Sequence, residues 1–127
     1  MLKNKAAKHI EINSEDLFKL SIKLLDNYII EPQLHHILFM CYLTVKEYSR
    51  NNQHLDQNAK IELSLKYAPD LIDGLCKSNV IKHAEGEVIK NQILTQEKEV
   101  KFILDVYAMI FSYKSDDTIT SSKCCLV

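Results

Sequence analysis

Apolar residues recur every three or four positions along most of this chain, the spacing that places them on one face of an α-helix. The first such stretch follows Asn13 and Ser14, either of which can cap free backbone amides, and it extends to about Ile30. Pro32 interrupts the pattern, because proline lacks the amide hydrogen that would continue a helix. We therefore expect a corner at Pro32 and a second helix over residues 34–50.

The middle of the chain changes character twice. A blurred apolar period over residues 59–68 predicts a short helix, and Pro69 then suits the first turn of another helix that ends at residue 79. Over residues 80–94, two β-prone stretches flank a turn that contains Gly86, and this pattern predicts a β-hairpin, with a frayed helix as the less favoured alternative. The strongest amphipathic stripe follows, and it predicts a long helix over residues 95–113.

These elements predict a mainly α fold, a single-domain helical bundle with one small β-hairpin. The chain has 127 residues, the usual size of one domain, and its two glycines and two prolines leave little turn chemistry for a larger sheet. We expect the helical domain at residues 14–113, between a flexible basic N-terminus (1–13) and a flexible C-terminal tail (114–127). The residues whose periods converge on one core are Leu38, Cys41, Leu75, Ile103, Leu104 and Tyr107.

Charge and cysteine usage predict a cytoplasmic protein. The formal net charge is −1, so binding to nucleic acid would need a local basic patch. The basic run at residues 3–8 is not followed by the apolar stretch of a signal peptide, and no segment approaches the roughly 18 apolar residues of a membrane span. Cys41 and Cys76 lie at apolar-periodic positions, where a thiol acts as a small hydrophobic group.

The residues that usually carry catalysis do not form a recognisable pattern. His35 and His36 are adjacent and point to different sides of a helix, and no Cys-x-x-Cys spacing completes a zinc site. Gly74 and Gly86 stand alone, so no glycine-rich loop for phosphate is formed. We therefore predict a non-enzymatic protein without catalytic residues, metal, cofactor or small-molecule substrate.

The order of the predicted elements over residues 34–111 resembles that of the winged helix-turn-helix family of transcription regulators. The resemblance implies that the helix at residues 69–79 enters the major groove of DNA and that the hairpin at residues 80–94 is the wing. On this resemblance, we expect a DNA-binding regulator. The residues expected to bind nucleic acid are Lys66, Lys77, Ser78, Lys82, His83 and Lys90.

A second resemblance uses some of the same residues. Segments 71–81, 88–90 and 99–105 resemble the helical caspase-recruitment type of death fold, a module that binds partner proteins of its own kind. Asp70 and Asp73 favour this adaptor or inhibitor class, because carboxylates on the helix expected to enter the major groove would repel DNA phosphates. In either class we expect a homodimer through residues 95–113, since Phe102 and Met109 lie off the main stripe.

The last four residues, Cys124-Cys125-Leu126-Val127, match a prenylation signal, in which a cysteine precedes two aliphatic-like residues and a terminal residue. In a eukaryotic cytoplasm this pattern would make Cys124 the lipidation site. A single lipid chain anchors a protein only weakly without a second signal. We therefore expect membrane contact only if Cys124 is prenylated.

Overall fold

Five α-helices make up the part of the chain that the computed structural model describes, residues 13–51 and 54–114 without the side chains of residues 112–114. These described residues contain no β-strand, so the prediction of a mainly α fold is confirmed. The predicted N-terminal segment and C-terminal tail lie, apart from residues 13 and 114, outside the described residues. The helices are α1 (Ser14–Leu25), α2 (Leu34–Asn51), α3 (Gln57–Lys77), α4 (His83–Thr95) and α5 (Glu97–Lys114).

Helix α1 begins as predicted and ends earlier than predicted. The Asn13 side chain accepts a hydrogen bond from the backbone N–H of Glu15 at 2.8 Å, which satisfies one amide at the helix start. The last turn closes with short-range bonds, from Asp26 N–H to the Lys23 carbonyl at 3.2 Å and from the next amide to the Leu24 carbonyl. The chain then turns before Pro32, and residues 26–33 form a connection to α2.

Helix α3 passes through Pro69 without a break, so the prediction of two separate helices there is wrong. Proline removes one backbone hydrogen bond from a helix, but Pro69 lies on the exposed side. One buried stripe continues in phase across it, and burial of that stripe outweighs the lost bond. The stripe consists of Ile61, Ser64, Ala68, Leu71 and Leu75.

The predicted hairpin over residues 80–94 is also wrong, because residues 83–95 form α4. Helix α3 ends at Lys77, and the chain reverses at Asn79, which has a positive φ of 62° that asparagine tolerates. The N–H of Val80 bonds back to the Leu75 carbonyl at 2.9 Å. Helix α4 starts when Lys82 N–H donates to the Glu85 carboxylate at 2.9 Å. Gly86, Ile89 and Ile93, at helical spacing, then face the other helices.

Helices α2 and α3 form the centre of the bundle, and each packs against all four other helices. Of the six residues expected in the core, Leu38, Cys41, Leu75 and Leu104 are fully buried. Ile103 and Tyr107 are only partly buried, because the inward face of α5 centres on Val100, Leu104 and Ala108 instead. All six residues thus belong to the core as predicted, with Ile103 and Tyr107 at its edge, packed against the buried cluster formed mainly by α2 and α5.

Three hydroxyl groups meet inside this apolar core. Ser21 of α1 lies 2.7 Å from the Thr44 hydroxyl of α2 and 2.8 Å from the Tyr67 hydroxyl of α3. Ser21 and Thr44 are completely inaccessible to solvent, and burial raises the pKa of the Tyr67 hydroxyl well above its usual range. The trio is thus an uncharged hydrogen-bonded link between three helices.

Candidate functional site

A groove of about 500 Å³ opens where the connection between α1 and α2 crosses the start of α2 and one turn of α5. Its walls are mainly apolar and aromatic, with a few polar groups among them. Concave sites of this size and composition are the usual places where proteins bind ligands or peptide segments. The residues that define it are Tyr28, Ile29, Glu31, His36, Phe39 and Tyr107.

The aromatic wall of the groove is held by edge contacts between rings. Phe39 lies at its centre, with its ring centroid 5.5 Å from that of Tyr28 and 5.5 Å from that of Tyr107, both at steep angles. Phe111 also stacks on Phe39, with the ring centroids 6.1 Å apart. Edge-to-face pairs of this kind add to the energy of burial, so the wall is a preformed surface.

Two hydrogen bonds fix the rim of the groove. The Tyr107 hydroxyl donates to the backbone carbonyl of His35 at 3.0 Å, which joins α5 to the start of α2. The backbone N–H of Glu31 donates to Nδ1 of His36 at 3.1 Å, which holds the connection against α2. Because Nδ1 accepts this hydrogen bond, Nε2 is the ring nitrogen of His36 that remains for contact with a ligand.

The charge of the groove is negative. Glu31 lies in its wall, and its carboxylate accepts a hydrogen bond from the Gln33 side chain at 2.9 Å. The pKa of Tyr28 is raised by burial and by the negative charge of nearby Glu47. Among the described residues that line the groove, none is lysine or arginine. The groove therefore favours an apolar ligand that carries a positive charge over an anionic one.

The residues predicted to bind nucleic acid lie elsewhere, along α3 and α4. Lys77, Ser78, Lys82 and His83 are all exposed and follow one another around the turn between the two helices. Lys66 is exposed as well, but it lies about 16 Å before Lys77 along α3. The turn thus brings four of the six predicted residues together.

The sixth predicted residue, Lys90, is already engaged in ion pairs. Its Nζ lies 2.8 Å from a carboxylate oxygen of Asp73 on α3 and 3.8 Å from one of Glu87 on α4. The hydrogen bond to Asp73 raises the pKa of Lys90, so the ammonium group stays charged and paired. Contact with a phosphate would have to replace these carboxylates.

Acidic residues also accompany the lysines on the exposed ridge of α3. The ridge carries three carboxylates and two ammonium groups, a net charge of −1, which gives no excess of attraction for DNA phosphates. Its members are Glu62, Lys66, Asp70, Asp73 and Lys77.

The prenylation site, metal binding and membrane spanning are the remaining questions about candidate sites. Cys124 lies outside the described residues. Within residues 13–51 and 54–114, no three or more histidine, cysteine, aspartate or glutamate side chains cluster as a metal site would require. No helix in this part of the chain has both the length and the apolar character needed to cross a membrane.

The groove itself was not predicted from the sequence. Its three aromatic residues, Tyr28, Phe39 and Tyr107, lie far apart in the chain, and each one alone fits a helix that packs into a core. The only local signal is Pro32, which predicts the corner but not what the corner covers.

Comparisons of the chain with protein-family models, with curated proteins and with solved structures gave no match.

Proposed function

We propose that this chain is a non-catalytic interaction module that holds a segment of a partner protein in the groove between the α1–α2 connection and α5. The observation that carries the proposal is the preformed aromatic wall around Phe39, beside a rim of negative charge. Apolar walls supply binding energy, and a small number of fixed polar groups orient a ligand.

The groove also defines the chemistry of the partner segment. The edge-packed rings of Tyr28, Phe39 and Tyr107 fit a bulky apolar or aromatic side chain. The carboxylate of Glu31 fits a lysine or arginine next to that anchor, and Nε2 of His36 can donate to a backbone carbonyl of the segment. The partner is thus a peptide segment with an apolar anchor and an adjacent basic residue.

Binding to DNA is the alternative function, and three observations favour a protein partner over it. Helix α4 occupies the segment that would form the wing of a winged helix. The ridge of α3 has no positive excess, and Lys90 is paired with Asp73. A helical interaction module accommodates all three observations, because neither a wing nor a basic surface is part of its binding mode.

Selection of peptides from a displayed random library, with the full chain as bait, tests the proposal. We expect enrichment of sequences in which an aromatic or large aliphatic residue adjoins lysine or arginine. Ile29→Lys should weaken binding of the selected peptides at least about tenfold, because it removes an apolar contact and repels the basic residue. Ile29 is 88% exposed, so the change leaves the fold intact.

Val88→Lys is the matched control, since Val88 is also an exposed β-branched apolar residue, 59% accessible, but lies on α4 outside the groove lining. It should leave peptide binding unchanged. Equal binding to both variants, or no enrichment at all, would contradict the groove as the binding site. A mobility shift of duplex DNA at low salt that is reduced by Lys77→Ala and Lys82→Ala would establish the DNA-binding class instead.

A further inference from the structure

The outward face of α5 carries a regular stripe of exposed side chains. The inward face of this helix buries Val100, Leu104, Ala108 and Phe111. On the opposite face, residues at spacings of four, three and four form the outer stripe of α5, whose two apolar members, Phe102 and Met109, are 66% and 62% exposed. Its members are Lys98, Phe102, Asp105 and Met109.

The charges of the outer stripe are complementary to those of a second, antiparallel copy of the stripe. Lys98 and Asp105 stand on the same side of the helix, one basic and one acidic, each about 5 Å along the axis from a midpoint next to Phe102. Neither charge has an ion-pair partner among the described residues, whereas the neighbouring Lys101 lies 4.0 Å from Glu62. Two such helices side by side and antiparallel place each Lys98 opposite Asp105 of the other.

We infer that α5 docks, antiparallel, against α5 of a second copy of this chain through the outer stripe. Phe102 lies next to the two-fold axis and meets its own counterpart. Met109 then faces the open hollow at the start of the other α5, which is lined by residues 95–99 and Phe102. A parallel pair would instead oppose Lys98 to Lys98 and Asp105 to Asp105, so the charges select the antiparallel arrangement.

The contact area is limited, because each copy contributes a single helix. Helix α5 has 18 residues and is about 27 Å long, so one helix from each copy buries less area than a standard permanent interface. We therefore expect a reversible dimer and not a permanent one. It does not depend on the groove, because Tyr107 and the outer stripe lie on different sides of α5.

Sedimentation equilibrium of the full chain with reversed charges tests the inference. Lys98→Asp and Asp105→Lys should each weaken dimerisation about tenfold or more, because each single change opposes like charges twice per dimer. An equimolar mixture of the two variants should dimerise about as well as the wild type, since both contacts are again between opposite charges. Lys66→Glu on exposed α3 is the control, and it should leave dimerisation unchanged.

A wild-type chain that stays monomeric at high micromolar concentration would overturn the inference. So would single variants that dimerise like the wild type, or a mixture that does not recover. Circular dichroism of each variant establishes that it is folded. As a second measurement, Phe102→Cys in a Cys124→Ser/Cys125→Ser background should form an intermolecular disulfide under mild oxidation, and a dimer that does not cross-link there would contradict the antiparallel register.

Discussion

Replacement of Gly86 by alanine tests how α4 packs against α3. A methyl group added at Gly86 would lie 2.6 Å from Sγ of Cys76 and 3.0 Å from Cγ2 of Ile72, both buried residues of α3. Sulfur and carbon atoms do not approach that closely without displacement. The two helices therefore have to move apart, or the Cys76 side chain has to leave its position.

Two effects of opposite sign decide the result. Alanine inside a helix stabilises the fold by about 1 kcal/mol relative to glycine, because it lowers the conformational entropy of the unfolded chain. An extra carbon in a tightly packed contact costs about 1–3 kcal/mol. The close approach to Sγ places this site in the upper part of that range, so we expect Gly86→Ala to lower the free energy of unfolding by about 1–2 kcal/mol.

The same change in a Cys76→Ala background separates the two effects. Removal of Sγ makes room for the new methyl group, so Gly86→Ala should there be neutral or should stabilise by up to about 1 kcal/mol. Urea denaturation followed by far-ultraviolet circular dichroism measures all four proteins of this double-mutant cycle. Stabilisation by Gly86→Ala in the wild-type background, or no change of its effect in the Cys76→Ala background, would refute the described contact.

Three further predictions concern the core. Leu104→Ala should destabilise the fold by about 2–5 kcal/mol in thermal or urea unfolding, because it leaves a cavity at a fully buried site. Phe102→Ala on the same helix is the control. Measured at protein concentrations too low for dimers, it should destabilise by at most about 0.5 kcal/mol. Tyr67→Phe should lower the free energy of unfolding by about 1 kcal/mol, because it removes a buried hydroxyl group. Burial raises the folded-state pKa of Tyr67, so the wild type should lose stability above about pH 10 more steeply than this variant does. With the other three cysteines replaced by alanine, Cys41 should react with a thiol reagent only as fast as the chain unfolds, because burial raises its pKa, and rapid labelling of the native protein would contradict its complete burial.

Helices α1, α2 and α5 could be predicted from the sequence because each has one unbroken apolar stripe. Pro32 lies in the connection between the first two helices, as predicted, although α1 already ends at Leu25. The exposed positions of Phe102 and Met109 on α5 were likewise expected from their places off the stripe, and the structure confirms them. Periodicity is sufficient where one face alone decides the element.

Helix α4 shows why the remaining fold could not be predicted in the same way. Val88 and the two isoleucines of α4 have side chains that favour strands locally, and Gly86 resembles a turn residue. What makes the segment helical is its contact with α3, where a glycine lets the two helices approach. That contact joins residues from different elements, and local preference carries no information about it. The prediction of a helix boundary at Pro69 was wrong for the same reason, because the exposure of Pro69 depends on the tertiary packing of α3.

The buried trio of Ser21, Thr44 and Tyr67 restricts the alternative packings open to this bundle. Helix α1 fully buries only Leu17 and Ser21, and its Phe18 ring packs against Gly74 of α3, so both apolar and polar contacts set its position along α2 and α3. A slide of one turn, about 5.4 Å, would bring a leucine to the place of Ser21 and leave buried hydroxyls unpaired, at about 1–3 kcal/mol for each. The hydroxyl groups therefore raise the energy of the competing packings, in addition to the fit of the Phe18 ring against Gly74. Since the chain leads directly from α1 into Tyr28 and Glu31, the same three hydroxyls also decide where the groove forms.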